Sequence, residues 1–191
     1  MLVWLDFRLE VFIAVGIPLV LLVWSLVRNV DAVVLLVSIY WRVASLLGIA
    51  LYLLIGAAPV GFLAGWLARI LIPLSLWFWV DINEELDDMP PTNPLRLTLT
   101  AWRWAMTIYC GLGLILFTPL LRCTFNAGAM AANACQAWLE PPLRYRDMFH
   151  AGLEPGGLSL VGWFFLVLYA IGFGYFIIFR LTKSGRIAAE E

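Results

Sequence analysis

The sequence predicts an all-α membrane protein, a polytopic bundle of about five transmembrane helices. Of its 191 residues, 63% are hydrophobic and 13% are charged, and the mean hydropathy is +0.93. A soluble domain is about half apolar and about a quarter charged. The charges also fall in clusters between long apolar runs, as in a chain that crosses a bilayer. Residues 1–191 are therefore expected to form one transmembrane domain.

The positions of the spans follow from the thickness of the membrane. A core of about 30 Å is crossed at about 1.5 Å per residue, so each helix needs about 20 mostly apolar residues. Pro18 lies inside the first apolar window and is expected to bend that helix. The second and third windows are separated only by the Ala58-Pro59 neighbourhood, which predicts a tight antiparallel hairpin. The five predicted spans cover about residues 11–27, 33–57, 60–80, 101–121 and 158–179.

The orientation follows from the distribution of lysine and arginine. Five crossings place the termini on opposite sides, and basic residues concentrate in cytoplasmic loops. With the C-terminus inside, seven basic residues fall on the inner side and four on the outer side. The sequence therefore predicts an outer N-terminus and an inner C-terminus. The inner set is Arg28, Arg42, Arg96, Arg103, Arg180, Lys183 and Arg186, and the outer set is Arg8, Arg122, Arg144 and Arg146.

An acidic inner loop, residues 81–94, joins the third and fourth predicted spans. Asp81 followed by Glu84 matches a capping box, which predicts a short surface helix that stops before Pro90. A calcium-binding EF-hand is excluded because the segment lacks the required glycine and final glutamate. A solvated turn and a docking surface for a basic partner both remain open. The candidate docking residues are Asp81, Glu84, Glu85, Asp87 and Asp88.

The outer loop, residues 122–157, is too long for a simple connection, since most connections have about 4–6 residues. Its alanine-rich part, residues 126–140, predicts a short helix on the outer surface that ends at the two prolines that follow. Cys123 and Cys135 flank this stretch, with neither a metal-pair spacing nor a catalytic partner motif. A disulfide that staples the loop is the favoured interpretation, and two free buried thiols are the alternative.

Arg42, Arg69 and Arg103 lie in or beside the apolar windows, and we take them as candidate lipid- or partner-binding residues. A charged side chain at the bilayer centre costs about 2.5–3.5 kcal/mol, so it is normally paired, faces a cavity or reaches the surface. Arg42 and Arg103 are placed near inner helix ends, where their stems reach the headgroups. Arg69 lies mid-span, and no acid is placed within an apolar core to neutralise it. Its expected partners are backbone carbonyls, water, a lipid phosphate, a cofactor or another subunit's acid.

The motifs of several function classes are missing from the chain. No GxGxxG, Walker A, HExxH, GxSxG or paired intramembrane carboxylates are found, which favours a protein that is not an enzyme. One histidine and three cysteines give no haem, iron–sulfur or zinc signature. The net charge of -1 gives no basic field for nucleic acid. A membrane-embedded enzyme with metal bound at residues 81–88 remains as a minor alternative.

Three stretches carry a resemblance to a known family: YWRVAS at residues 40–45, GWLARILIPLSLWFWVDINEE at residues 65–85, and WLEPPLRY at residues 138–145. Over nearly its whole length the chain resembles the uncharacterised thylakoid membrane proteins of cyanobacteria, which have counterparts in plant chloroplasts. The resemblance implies a photosynthetic membrane with a lumenal N-terminus and a cytoplasmic or stromal C-terminus. An oxidising lumen suits a bridge between Cys123 and Cys135. The family transfers no activity to particular residues.

Two functional hypotheses follow. The leading one is a non-catalytic accessory, assembly or stabilising subunit of a photosynthetic membrane complex, such as a photosystem or its assembly intermediate. The alternative is a small transporter or a lipid- or cofactor-handling protein, in which Arg69 holds an anionic headgroup in a groove between helices. Membrane lipids are expected partners, and bound lipid, chlorophyll or carotenoid remain open as cofactors.

Overall fold

The computed structural model describes residues 2–126, 128–176 and 178, which form helices and connecting turns without a β-strand. Among these described residues, five helices are long and apolar enough to cross a membrane. The chain is therefore an all-α integral membrane protein. In chain order, its main helices are α1 (Leu2–Arg28), α2 (Asp31–Ile55), α3 (Val60–Trp77), α4 (Val80–Asp87), α5 (Pro94–Phe125), α6 (Asn133–Phe149) and α7 (Pro155–Tyr175).

The bundle has two ends that differ in chemistry. The acidic end carries the turn between α1 and α2 together with the short helix α4. The disulfide end carries the turn between α2 and α3, the final turns of α5, and α6. Those final turns are the 3-10 segment Thr118–Leu121 and the helical turn Arg122–Phe125. Because successive spans alternate in direction, α1 begins at the disulfide end and α7 runs from that end towards the acidic end.

Two spans start earlier in the chain than the sequence predicts. The first begins at Leu2 rather than near residue 11, and the fourth begins at Pro94 rather than near residue 101. A hydropathy window stops at charged residues, whereas a helix continues through them because its backbone groups must stay hydrogen-bonded. Asn93 caps the fourth span, and its side chain accepts a hydrogen bond from the Leu95 N–H at 2.9 Å.

The last span is α7, which the structure describes from Pro155 to Tyr175. It packs along α2. The predicted end of this span near Phe179, and the basic residues Arg180, Lys183 and Arg186 that were used for the orientation, lie outside the described residues.

Pro18 divides α1 into two halves that pack differently. The turns before this proline widen into a π-helical segment, Glu10–Gly16, and a regular helix resumes at Ile17. The half after the proline packs against α2, whereas the half before the π segment packs against α6. The predicted bend is thus a change of helical register that directs the N-terminal half of α1 towards α6.

Two aromatic side chains satisfy the carbonyls that Pro18 leaves free. A proline has no N–H, so the carbonyls four and five residues before it, those of Ala14 and Ile13, receive no hydrogen bond from it. Tyr40 Oη donates to the Ala14 carbonyl at 2.7 Å, and Trp102 Nε1 donates to the Ile13 carbonyl at 2.9 Å. Side chains from α2 and α5 therefore replace backbone donors, as the low-dielectric interior of a membrane protein requires.

Small residues bring α7 close to α2. A Cβ atom added to Gly162 would lie 3.0 Å from the backbone nitrogen of Leu53. At the disulfide end, a Cβ added to Gly56 would lie 2.2 Å from the Cβ of Ser159. Close packing of this kind is how helices associate where no hydrophobic effect drives them together.

The outer helix α6 differs from the prediction of a helix over residues 126–140 that ends at two prolines. It begins at Asn133 and continues through Pro141 and Pro142 to Phe149. Both prolines are buried, and their fixed φ of about -65° is compatible with a helix even though their missing N–H groups remove hydrogen bonds. The helix packs against α2 and the start of α1, so it covers the disulfide end of the bundle.

Candidate functional site

Arg69 forms two ion pairs inside the bundle. Its side chain is only 2% exposed, and its Nη2 lies 3.1 Å from Asp6 Oδ2 and 3.0 Å from Glu10 Oε2. Its Nη1 donates to the carbonyl oxygen of Gly65 at 3.1 Å. The prediction that no acid lies within the apolar spans to neutralise Arg69 is therefore wrong. It failed because the acids belong to the N-terminal half of α1, which the predicted span omitted.

Asp6 and Glu10 reach Arg69 together because they are four residues apart on one face of α1. Tyr109 of α5 donates from its Oη to Asp6 Oδ1 at 3.0 Å and to Glu10 Oε2 at 3.4 Å. We call Asp6, Glu10, Arg69 and Tyr109 the acid–arginine cluster. It contains paired intramembrane carboxylates, contrary to the prediction that the chain has none.

Helix α5 makes room for the guanidinium of Arg69. A Cβ added to Gly113 would lie 2.6 Å from Arg69 Nε and 2.8 Å from its Cδ, so any side chain here would displace the arginine. One turn further on, the Phe117 ring lies under the guanidinium, with its centroid 3.9 Å from Arg69 Cζ. A cation above an aromatic face is stabilised by the ring quadrupole. The glycine and the phenylalanine together fix the depth and orientation of Arg69.

The cluster leaves Arg69 few donors for an outside ligand. Both terminal nitrogens donate to groups of the protein. Its Nε has no hydrogen-bond partner among the described residues, but it lies so close to Gly113 that a Cβ added there would be only 2.6 Å away. Two carboxylates and one guanidinium give the cluster a formal excess of one negative charge. Arg69 is thus a paired core residue, which does not support the expectation that it holds an anionic headgroup.

A groove of about 390 Å³ lies beside the cluster, between the N-terminal half of α1 and the facing side of α2. Its size is within the range of about 300–1,000 Å³ that is typical of small-molecule sites. The groove has mostly apolar walls and a roof formed by α6, and Glu10 and Arg69 are among its lining residues. Among its lining residues are Val11 and Val15 of α1, Gly48 and Leu51 of α2, and Trp138 and Tyr145 of α6.

The groove opens sideways, towards the bilayer. Val11 is 49% exposed and Val15 is 45% exposed, and Gly48 across the gap is also exposed. All three residues belong to membrane-spanning helices, so the opening between them faces lipid. Before Pro18, α1 runs away from α2 and towards α6, which separates the α1 wall of the groove from its α2 wall. A lipid-soluble molecule can therefore enter this groove without crossing an aqueous phase.

Arg103 does not reach the headgroups, contrary to the prediction. Its side chain is only 5% exposed, because α5 begins at Pro94 and Arg103 lies well inside the helix. Its Nη2 donates at 2.6 Å to both the Leu76 carbonyl and Asn83 Oδ1, and its Cζ lies 4.0 Å from the centroid of a Trp77 ring. Arg103 thus connects the end of α3 and the helix α4 to the bundle.

Arg42 also differs from its predicted position. It lies near the middle of the 25-residue helix α2 rather than near an end. Its side chain is exposed, and it makes no ion pair within the described part of the chain. The structure therefore separates the predicted arginines, since Arg69 and Arg103 are buried at different levels of the bundle and Arg42 lies on its surface.

The acidic loop forms the short helix α4, which starts at Val80 with Trp79 at its N-cap. No side chain caps it, so the predicted capping box of Asp81 and Glu84 does not form. Asp87 pairs with Arg96, with an N–O distance of 3.0 Å. Within the described residues the other predicted docking carboxylates make no ion pair; these are Asp81, Glu84, Glu85 and Asp88.

Cys123 and Cys135, the pair expected to form a bridge, are joined by a disulfide. Both residues are fully buried and pack with Phe62, Phe117 and Leu139. The bond ties the start of α6 to the end of α5. It therefore fixes the helix that forms the roof of the groove.

The predicted site residues do not include Asp6, Glu10 or Tyr109, and no groove was predicted. One signal was present, since two acids spaced by four residues lie directly before an apolar run. If the helix is extended backwards through them, both carboxylates face the same side, and an arginine in another span is the natural partner. The groove had no such signal, because it depends on how Pro18 redirects one half of α1.

Comparison with known proteins gives a family match. The family model described as "Protein of unknown function (DUF3177)" matches residues 1–189. No curated protein and no solved structure matches the chain.

Proposed function

We propose that this chain, which belongs to the DUF3177 family, is a non-catalytic membrane protein that holds an elongated apolar ligand in the groove between α1 and α2. The observation that supports this is the groove of about 390 Å³, which opens towards lipid and is closed at one end by α6. An apolar pocket with a few convergent polar groups is the usual form of a small-molecule site. A lipid, a prenyl chain or a linear pigment has the required shape.

The groove is held open by buried polar contacts rather than by chance packing. The acid–arginine cluster ties the N-terminal half of α1 to α3, and the disulfide ties α6 to α5. These contacts hold the helices around the space between α1 and α2. The site is therefore open before a ligand binds, and binding spends little free energy on ordering the protein.

The test is native mass spectrometry of the full chain, purified in mild detergent from its own membrane. We expect a bound molecule of lipid class. Gly48→Phe places a ring in the groove, where no atom lies within 4 Å of an added Cβ, and it should abolish the bound mass. Gly172→Phe on α7 has equally free surroundings and should retain it. Equal ligand content in the two variants, or none in the unmodified chain, would overturn the proposal.

A second candidate function is the accessory, assembly or stabilising subunit of a photosynthetic membrane complex. It is favoured by the exposed face of α4, where Asp81, Glu84 and Glu85 make no ion pair with the described residues. Such a face suits a basic partner surface. This proposal includes a thylakoid location, with the disulfide end in the lumen and the acidic end in the cytoplasm or stroma.

The partner hypothesis is tested by affinity purification from the native membrane followed by protein mass spectrometry. We expect stoichiometric subunits of a photosystem or an electron-transfer complex. Replacing Asp81, Glu84 and Glu85 with lysine should abolish the copurification of these subunits and leave the chain folded. Two results together would reject this function: the unmodified chain purifies without any partner, and the complexes of the membrane stay intact when the chain is deleted.

A further inference from the structure

Glu10 presents an unused carboxylate oxygen to the groove. Its Oε2 accepts from Arg69 and Tyr109, whereas its Oε1 accepts no hydrogen bond from any described residue. A quarter of the Glu10 side chain is exposed, and Glu10 lines the groove. Asp6 differs, because both of its oxygens are bonded and its side chain is only 9% exposed.

The charge of the cluster selects the chemistry of the ligand. Arg69 is the only cation within 4.0 Å of Asp6 and Glu10 among the described residues, so the cluster has a formal excess of one negative charge when both carboxyl groups are ionised. An anionic headgroup would be repelled by this charge, and the repulsion is strong where the effective dielectric constant is low. A carboxylate oxygen at membrane depth is instead stabilised by an O–H or N–H donor.

The walls of the groove select the rest of the molecule. Beyond Glu10, the groove is bordered by Val11 and Val15 on one side and by Ala44 and Leu51 on the other. These walls offer no charge and suit a single hydrocarbon chain. We propose that the ligand of the groove is a single-chain amphiphile whose polar end carries a hydroxyl or amine donor that binds Glu10 Oε1. This inference rests on the proposed ligand-holding function.

The test uses four probes of equal chain length: hexadecanol, hexadecylamine, hexadecyl methyl ether and palmitate. Binding is measured by native mass spectrometry of the full chain in nanodiscs of one zwitterionic phospholipid. A hydrogen bond to a charged group contributes about 1.5–3 kcal/mol, so we expect the alcohol and the amine to bind about tenfold or more tightly than the ether. We expect palmitate to bind most weakly. Comparison of hexadecanol with hexadecylamine shows whether the site prefers a neutral or a cationic polar end.

The variants test whether the donor of the ligand binds Glu10. In Glu10→Gln the preference for alcohol over ether should fall to less than about threefold, because the charged acceptor is lost. Asp31→Asn should keep the preference, since Asp31 lies at the start of α2 and does not line the groove. Equal binding of alcohol and ether, or tightest binding of palmitate, overturns the inference even if Gly48→Phe blocks every probe. If Gly48→Phe blocks no probe, the groove itself fails as a site and the proposed function fails with it.

Discussion

Arg69 Nη2 lies 3.1 Å from Asp6 Oδ2, although the two residues are 63 positions apart in the chain. The pair joins the start of the first span to the middle of the third. Both side chains are at least nine-tenths buried. Because a buried charge is stable only with its partner, this contact makes the position of α1 depend on α3.

Removing the arginine charge should destabilise the fold. Arg69→Gln leaves Asp6 and Glu10 without a cation, and breaking a buried pair costs about 3–5 kcal/mol. The free energy of unfolding is measured by titration with a denaturing detergent in mixed micelles. Arg42→Gln is the matched control, because Arg42 is exposed and should change this free energy by less than about 0.5 kcal/mol. Equal losses in the two variants would contradict the role of the cluster.

A methyl group at position 113 should disturb the same contact from the opposite side. Gly113→Ala brings a Cβ within 2.6 Å of Arg69 Nε, and the arginine cannot move away because it is held by two acids. Overpacking of this kind costs about 1–3 kcal/mol. Gly111→Ala on the same helix has no atom within 4 Å of the new Cβ. It should be neutral or slightly stabilising, and a loss as large as that of Gly113→Ala would refute the explanation.

The contact between Tyr40 and the Ala14 carbonyl should matter only while Pro18 is present. Tyr40→Phe leaves that carbonyl without its donor at 2.7 Å, which costs about 1–3 kcal/mol for a buried group. In a Pro18→Ala background the new N–H is available to the freed carbonyls, so the same substitution should cost less. A double-mutant cycle of unfolding free energies measures the coupling. Purely additive effects would show that the proline does not create the need for Tyr40.

The packing of α7 should depend on one glycine. Gly162→Val places a branched side chain against the backbone of α2, 3.0 Å from Leu53 N, and should separate the two helices. Gly172→Val lies on the same helix with free surroundings. Disulfide cross-linking between cysteines introduced into α2 and α7 reports the separation. We expect the yield to fall only in the Gly162 variant.

Reduction should loosen the roof of the groove. A bridge that closes a short loop stabilises by about 2–4 kcal/mol, so Cys123→Ser should lower the melting temperature in detergent. Reductant should lower it similarly in the unmodified chain and should have no further effect in the variant. Protease cleavage near α6 should increase in parallel. A melting temperature that does not respond to reductant would show that packing alone holds α6.

The spans were predictable because their signal is local. Each consists of a long apolar run, and the hairpin of α2 and α3 follows from the short sequence between two such runs. The ends of the spans were less predictable. A charged residue lowers the mean hydropathy of a window by the same amount whether it lies inside a helix or beyond its end. Asp6 and Glu10 show the difference, since their membrane position is stabilised by Arg69, a residue far away in the chain.

The groove was beyond prediction for a different reason. Its walls are ordinary apolar helices, and its existence depends on the angle between the halves of α1. That angle reflects Pro18, the π-helical segment and the side chains of Tyr40 and Trp102 that satisfy the free carbonyls. Arg103 illustrates the same limit, because its burial follows from where Leu76 and Asn83 lie.

The distance in sequence between Asp6 and Arg69 also sets an order of events during synthesis. A ribosome adds about 5–20 residues per second, so Arg69 follows Asp6, 63 positions earlier, after about 3–13 seconds. During that interval the carboxylates of Asp6 and Glu10 have no contact with Arg69, and each ionised group resists entry into hydrocarbon. We therefore expect the first span to complete its insertion only after the third has been synthesised, so that several helices together settle the membrane topology of this chain.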